Sequence, residues 1–420
     1  MKTIALLVFA NIAFNSNFQQ ETIEGKIIDS ETREIIPFAH VYIENTSIGT
    51  LSNIDGNFSL VIPEDYKSAK LVFSSVGFES STKLIADLKR GSTNTIQLAP
   101  SKILLDQVVI STLEPEEIWK NAVKGMSKNF VSSPYRLRGF YRTTFQEDGY
   151  FSRLLEAAVQ IHGKGSLKKR SDIEYLEIRK SKDLRTNVWK VYDGYLEHLA
   201  NNHPMRLNPD FLTAKASKKY EITLEDVLFQ DEELYYLLSA KGPSKGMHNA
   251  QLLIREKDFA IFRITIFWKP ENANNFSWAW EKKDSAEFFC SWQQSTYEYD
   301  EFNGKMYPKR SSWHRKGRVI KSGTKETVFR TESIDELLIT KVDEGTFEKT
   351  QKVPLTNQNI YQMADYFPYQ SSFWKSFNKP VDSELFKKAK SKMEDHQPLE
   401  EQFLLYSGTK ATNIESNGVN

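Results

Sequence analysis

Histidine, cysteine and carboxylate side chains carry much of enzyme chemistry, and their spacing in this chain forms no catalytic motif. No nucleophile-elbow, zinc-protease or phosphate-binding-loop pattern occurs. No two histidines are two or four residues apart, so a metal site would require them to converge from separate strands. Cys290 lies between aromatic residues, which favours a buried, unreactive thiol. We therefore expect no catalytic residue, no metal and no cofactor. The histidines are His40, His162, His198, His203, His248, His314 and His396.

The dipeptide Asp55-Gly56 is compatible with a calcium loop or with a tight turn. A calcium loop of the helix–loop–helix type requires oxygen ligands at its first, third and fifth positions and a glutamate at its twelfth. With Gly56 at the sixth position, the first is Leu51 and the twelfth is Ile62. These apolar residues exclude that site, so the sequence predicts a hairpin turn in which Gly49 and Gly56 take unusual backbone angles.

Two groups of side chains suggest ligand contacts without catalysis. Lys164, Lys168, Lys169 and Arg170 could contact anionic lipid headgroups, or they could belong to a solvated loop. Several aromatic and aliphatic residues could line an apolar pocket or fill the core of a thin sheet. The candidate pocket residues are Phe262, Ile264, Ile266, Trp268, Trp278, Trp280, Trp292, Phe373 and Trp374.

The N-terminus predicts export. Lys2 precedes an apolar run from Ile4 to Phe14, which is shorter than the about 20 residues that span a membrane. We interpret residues 1–20 as a secretory signal, with a buried first strand as the alternative. The absence of disulfides favours a bacterial periplasm or an outer-membrane association over a eukaryotic secretory route. A net charge of +1 gives no global attraction to nucleic acid.

Short strand-like runs, each bounded by turn-forming residues, recur between residues 21 and 100. This spacing predicts an antiparallel β-sandwich. The residues GKIIDSETREIIPFAHVYIENTSIGTLSNIDGNFSLVIP, followed by LVFSSVGFES, resemble the carboxypeptidase regulatory-like domain. That resemblance implies a transthyretin-like, noncatalytic module that is abundant in exported proteins of Bacteroidetes-type bacteria. The segment 103–111 resembles the region that follows this domain in outer-membrane receptors, but the chain is too short for their barrel of about 22 strands.

The remainder predicts an α+β domain, so the protein is expected to be mainly β. Residues 115–130 form an amphipathic stripe of Trp119, Val123, Met126 and Phe130, which indicates a helix packed on a sheet. Long alternating strands follow and predict a large curved antiparallel sheet. The run from YYLLSAKG to FAIFRITI resembles the half-barrel of periplasmic lipoprotein carriers, in which a curved sheet wraps a helix and holds acyl chains.

Three functional classes remain open. The first is a noncatalytic binding protein for an apolar or lipid ligand or for an envelope partner, such as an outer-membrane protein. The alternatives are an assembly factor for a surface complex and, less favoured, a hydrolase of envelope polymers. We expect a signal peptide at 1–20, the sandwich at 21–100, a linker at 101–114, the curved-sheet domain at 115–405 and a flexible tail at 406–420, with no transmembrane segment in the mature chain.

Overall fold

A computed structural model describes most of the chain outside its first 20 residues. The predicted signal segment, the segment 103–111 and Trp280 lie outside the described residues. The described ranges are 21–101, 113–185, 196–243, 248–268, 278–279, 286–321, 324, 326–349, 360–395 and 397–411.

The N-terminal part contains two small sheets that pack face to face. One sheet has the order β4-β1-β7 and the other β3-β2-β5-β6. Alternate apolar residues such as Val41, Phe58 and Phe73 point between the sheets and form their common core. The predicted sandwich is confirmed, except that β1 and β7 pair in parallel. The strands are β1 (Glu21–Asp29), β2 (His40–Ile43), β3 (Gly49–Leu51), β4 (Asn57–Ile62), β5 (Lys70–Ser74), β6 (Ser81–Leu84) and β7 (Asn94–Leu98).

The Asp55-Gly56 segment is a tight turn, but it does not close a hairpin. Gly56 has a φ of 76°, and its backbone N–H donates to the carbonyl of Asn53. The flanking strands β3 and β4 pair with β2 and β1, which belong to different sheets. The hairpin prediction is therefore wrong. Gly49 is also not at positive φ; a Cβ there would lie 2.6 Å from the carbonyl oxygen of Val41.

The predicted amphipathic helix is α1 (Pro115–Asn129). Pro115 suits the first turn because its missing N–H has no partner there, and Glu116 and Glu117 favour the positive end of the helix. The side chain of Trp119 is 1% exposed and donates through Nε1 to the Phe211 carbonyl at 2.9 Å. This contact fixes the helix against the chain that follows β10.

The C-terminal part is built on one large antiparallel sheet. Its strand order is β10-β9-β8-β18-β17-β16-β14-β13-β12-β11, and the short β15 pairs with β16. Asp148 and Gly149, both at positive φ, form the two-residue turn between β8 and β9. The strands are β8 (Pro134–Glu147), β9 (Tyr150–Lys164), β10 (Asp172–Lys180), β11 (Glu221–Gln230), β12 (Glu233–Lys241), β13 (Asn249–Arg255), β14 (Ile261–Trp268), β15 (Trp278–Ala279), β16 (Ala286–Phe302), β17 (Lys305–Lys321) and β18 (Thr327–Glu344).

The two faces of this sheet have different partners. The face that carries Tyr141 and Leu337, here called the helix face, packs against α1, α2 (Leu196–Asn201) and α3 (Pro204–Leu207). The opposite face carries Arg142 and Glu336 and is here called the groove face. Three short helices cover part of the groove face over β8–β10 through Trp374, Met393 and Phe403. They are α5 (Ser371–Ser376), α6 (Glu384–Glu394) and α7 (Leu399–Tyr406). The preceding helix α4 (Ile360–Met363) packs into the core of the helix face through Ile360 and Met363.

Candidate binding groove

A groove of about 560 Å³ lies on the groove face, between the N-terminal sandwich and the C-terminal helices. Strands β14, β16, β17 and β18 form its floor. One wall is Phe38 with the turn at 51–54, and the other is the segment 380–385 that leads into α6. Because three distant parts of the sequence meet here, the groove exists only in the assembled fold.

Hydrogen bonds between the two walls hold them in place. Asn53 Nδ2 donates to the Val381 carbonyl at 3.2 Å. The backbone N–H of Glu384, in the first turn of α6, donates to Asp55 Oδ2 at 2.6 Å. A carboxylate at a helix N-terminus satisfies a free N–H and is favoured by the helix dipole. Asp55, which first suggested a calcium loop, therefore joins the sandwich to α6.

The first charged row of the floor crosses three strands. Arg263 on β14 pairs in register with Glu298 on β16, which pairs with Arg310 on β17. Arg310 contacts Glu336 at 2.6 Å, and its guanidinium lies 4.1 Å from the ring centre of Phe38. Burial alone disfavours the charged guanidinium, but the Glu336 and Glu298 charges keep the pKa of Arg310 above its ordinary value.

The second charged row continues beneath the C-terminal helices. Glu336, Arg142, Glu156 and Arg179 are successive cross-strand neighbours on β18, β8, β9 and β10. Glu156 is 2% exposed and accepts from Arg142 Nε and Arg179 Nε, each at 2.7 Å. Burial alone would raise the pKa of Glu156, but the two arginines hold it far below its usual value. Its carboxylate therefore stays ionised and anchors this end of the sheet.

Two charged groups on the floor have hydrogen-bonding atoms that a ligand could pair with. Among the residues that the structure describes, Arg263 makes no hydrogen bond and no ion pair. Glu298 Oε2 is buried without a hydrogen-bond partner, and its nearest cation is Arg310 at 3.7 Å. A buried oxygen without a donor is costly, which makes this atom a place where a ligand donor would be stabilising.

Uncharged hydrogen-bonding side chains lie between these charges. The bond among them is from Gln294 Nε2 to Thr296 Oγ1, at 3.4 Å. Their remaining amide and hydroxyl groups can donate to or accept from a ligand. They are Gln251, Thr265, Gln294, Thr296 and Ser312.

The lip of the groove is apolar and open to solvent. Ile54 on the sandwich is 56% exposed, and Leu385 on α6 is 61% exposed. Both line the groove, together with Phe267 on the floor. The site therefore combines a polar floor with an apolar lip and suits an amphipathic ligand.

The sequence-predicted pocket residues on β14 lie on the other face of the sheet. Ile264 is fully buried in the main core, and Phe262 and Ile266 pack against that core. Tyr235 meets Phe262 edge to face, with ring centres 5.2 Å apart. The structure places these three predicted residues on one face, with Ile264 inside the main core and the partly buried Phe262 and Ile266 against it.

The remaining predicted residues are dispersed. Trp268 is 6% exposed at the end of β14, and Trp292 meets His314 edge to face at 4.9 Å. Trp278 lies in β15, which pairs with β16. Phe373 and Trp374, both on α5, form a separate cluster with Phe140 on the groove face. The structure does not bring Phe373 and Trp374 together with the β14 residues.

The groove residues that sequence reasoning missed alternate with those it selected. Arg263, Thr265 and Phe267 occupy the positions between Phe262, Ile264, Ile266 and Trp268. Because neighbouring residues on a strand point to opposite faces, the same alternation carried a signal for a second, polar face. The mixture of arginine, threonine and phenylalanine there was the available clue.

In the described part of the chain, no group of three or more histidine, cysteine or carboxylate residues could hold a metal. Burial raises the pKa of the Cys290 thiol and lowers that of His203 to about 3. In the basic run, Lys164 pairs with Asp172 at 3.0 Å, and Lys168 is exposed. None of the described helices is long and apolar enough to cross a membrane.

Comparison with solved structures finds likenesses of low similarity, each covering 56% of this chain. A LolA superfamily protein, NE2245 from Nitrosomonas europaea, is 13% identical, with 96% of that chain covered and a TM-score of 0.22. A putative outer membrane lipoprotein-sorting protein domain from Vibrio parahaemolyticus is 6% identical, with 96% covered and a TM-score of 0.26. In the Pseudomonas aeruginosa MucA/MucB complex, the matching chain is 6% identical, with 100% covered and a TM-score of 0.18.

Comparison with curated proteins finds no match. A family model does match the N-terminal part of the chain. This match confirms the resemblance identified from the sequence and extends ten residues beyond position 100, the end expected for the sandwich. Residues 23–110 match the CarboxypepD_reg-like domain.

Proposed function

We propose that the protein is an exported, noncatalytic binding protein that holds an amphipathic ligand in the groove between its two parts. The observation that supports this most is the groove itself, an open space of about 560 Å³ with a polar floor and an apolar lip. Pockets of about 300–1,000 Å³ are the usual size for small ligands or short segments of larger ones.

The position of the groove supports ligand binding because its walls are fixed to each other. Besides the Asp55 contact, the Val61 backbone N–H donates to Asn378 Oδ1 at 2.6 Å. On the far side of the sandwich, Ser47 Oγ donates to the Val342 carbonyl at 2.6 Å. A preformed site loses little conformational entropy when a ligand binds.

The helix face is a less favourable place for a ligand. The sequence left open whether the apolar residues of β14 line a ligand pocket or fill the core of the sheet. In the described residues that side belongs to the same core as Trp119 of α1 and Phe211 and Leu212 of the segment before β11, all of them buried. An apolar guest there would have to displace these side chains, at a cost of several kcal/mol.

The charges of the groove favour binding over acid–base catalysis. The carboxylates of Glu298 and Glu336 share one cation, Arg310, and Arg142 is held by Glu156 and Asp382. Carboxylates and arginines joined by several ion pairs stay charged and can position a ligand, whereas a general acid must be able to exchange its proton.

Hydrogen–deuterium exchange of the full chain tests the proposal. The probes are dodecanoate, a mixed library of 12-residue peptides and maltotetraose, each added separately. At least one probe should protect β14, β16 and β17 and the segment 378–385. The variant Ser312→Trp, which fills the floor, should lose this protection, whereas Arg318→Trp, at an exposed site on the same strand outside the groove lining, should keep it. Absence of protection with every probe, or equal protection in Ser312→Trp, would overturn the proposal.

A further inference from the structure

We infer that the ligand of the groove is an extended polypeptide segment of a partner protein. This inference rests on the proposed function and specifies its ligand. It follows from the chemical groups that the floor and the lip present to a ligand.

At two paired positions of the floor, the described residues leave one guanidinium without a hydrogen-bond acceptor and one carboxylate oxygen without a hydrogen-bond donor. Arg263 and Glu298 are cross-strand neighbours. Within the described residues the guanidinium of Arg263 has no partner, and Glu298 Oε2 is buried without a donor. A ligand that satisfies both must present an oxygen and an N–H close together. A peptide backbone does so at every residue.

The uncharged part of the floor has the same mixed character. Gln251 and Gln294 each carry an amide with both donors and an acceptor, and Thr265, Thr296 and Ser312 carry hydroxyls. These groups can form hydrogen bonds with the alternating backbone N–H and C=O groups of an extended peptide. An acyl chain would leave them without partners, which costs free energy for each buried polar group.

The lip then accounts for the side chains of such a ligand. Ile54 and Leu385 are aliphatic and more than half exposed, on opposite walls of the groove. Aliphatic side chains of a peptide would bury this surface at about 25 cal/mol per Å². Sugar rings are bound mainly by stacking on aromatic faces. Of the two phenylalanine rings that line the groove, that of Phe38 is already in contact with Arg310 and that of Phe267 lies on the floor, so maltotetraose is retained as a probe for sugar binding.

Charge complementarity further defines the segment. Arg142 is paired with Glu156 and Asp382, and Arg310 is shared by Glu298 and Glu336, so within the described residues Arg263 is the floor cation that is free to pair with a ligand carboxylate. A peptide with an acidic side chain flanked by apolar residues therefore matches the groove best. Glu298 at the neighbouring position excludes a run of several acidic residues by repulsion.

The experiment is a selection from a phage-displayed library of random 12-residue peptides on the immobilised full chain, followed by titration of a selected synthetic peptide. We expect enriched peptides with one acidic residue between apolar ones. Arg263→Ala should weaken their binding about tenfold or more, because a charged hydrogen bond contributes about 1.5–3 kcal/mol. Glu298→Gln should weaken it about fivefold by the same reasoning. Arg318→Ala, an exposed arginine outside the groove, should change it less than twofold, within the about ±0.5 kcal/mol of neutral surface changes.

The outcomes separate this inference from the proposed function. If no peptide is enriched, or if Arg263→Ala binds peptides as well as the native chain does, the polypeptide inference is wrong. Protection of the groove by dodecanoate or maltotetraose in the exchange experiment would then leave the proposed function standing with another ligand. If none of the three probe classes protects the groove, the proposed function fails with it. Circular dichroism verifies that the Arg263→Ala variant is folded. We expect it to fold because Arg263 is only half-buried and makes no ion pair with the described residues.

Discussion

At the scale of single residues, the polar face of the sheet is organised by buried charges that neutralise each other. Glu156 lies between Arg142 and Arg179, and the guanidinium of Arg179 lies 4.2 Å from the ring centre of Trp374. A buried ion is tolerable only when opposite charges and hydrogen bonds surround it. The C-terminal helices are thereby tied to the sheet through this carboxylate.

Replacing Glu156 by alanine should destabilise the protein strongly. Buried Arg179 would lose its carboxylate partner and Arg142 one of its two, and breaking such a buried pair typically costs about 3–5 kcal/mol. Urea unfolding of the full chain measures this. Asp210→Ala is the matched control, since it breaks an exposed ion pair with Lys219 in which both side chains are 61% exposed, and it should cost at most about 1 kcal/mol. Similar losses for the two variants would contradict the role given to Glu156.

Glu177 should make the stability depend on pH in the opposite sense to a paired carboxylate. Burial raises its pKa to about 7, so near neutral pH the folded protein binds a proton that the unfolded chain has released. The free energy of unfolding should therefore fall as the pH rises from about 4.5 to about 7.

The variant Glu177→Gln removes this titration. It should be about 2 kcal/mol more stable than the native chain at pH 8 and nearly equal to it at pH 4.5, as thermal unfolding at the two pH values would show. Glu34→Gln, at an exposed site in the sandwich, should have no such effect. A native chain whose stability rises steadily between pH 5 and pH 7, with no difference in Glu177→Gln, would contradict this account.

At the scale of elements, the sequence predicts helices and turns whose formation depends on residues close together in the chain. The α1 helix follows from its apolar stripe and from Pro115, and the turn after β8 follows from Asp148-Gly149. The partners of the strands beside Gly56 were not predictable in this way. A tight turn with glycine at positive φ can connect two paired strands of a hairpin or two strands that belong to different sheets. Which strand pairs with β4 is decided by packing across the whole sandwich.

The capping of α6 by Asp55 gives a test at this scale. Asp55→Ala removes the acceptor of the Glu384 N–H and should lower the free energy of unfolding by about 1 kcal/mol. The same change should weaken ligand binding, because it loosens both walls of the groove. Asp87→Ala, an exposed aspartate of the same sandwich, is the control for both measurements. A loss of stability without any effect on ligand binding would show that the position of α6 does not matter for binding in the groove, which would contradict this account.

At the scale of the whole molecule, the site belongs to the interface and not to either part alone. Sequence reasoning selected one face of β14, and the groove uses the other, because only the docked sandwich and α6 turn that polar face into a cavity. The contacts that create it join residues more than 300 positions apart, such as Asp55 and Glu384. Their identity depends on long-range packing that a pattern along one strand does not encode.

These contacts predict that the two parts unfold together. The sandwich meets the sheet through the His40–Asp300 contact at 3.3 Å and through Ser80, whose hydroxyl donates to Asp231 at 2.8 Å. Calorimetry of the full chain should therefore show one transition. The double variant Ser47→Ala/Asp55→Ala should resolve two. Two separate transitions in the native chain would mean that the groove walls are not fixed to each other.

The most direct test of the central claim compares two exposed leucines by photo-crosslinking in the cell that makes the protein. Leu385, 61% exposed at the lip of the groove, and Leu405, 57% exposed on α7 outside the groove lining, are replaced in turn by benzoylphenylalanine. The account predicts a covalent adduct at position 385, absent at 405 and absent from position 385 when Ser312→Trp fills the floor. Equal adducts at both positions, or an adduct at 385 that survives Ser312→Trp, would contradict it.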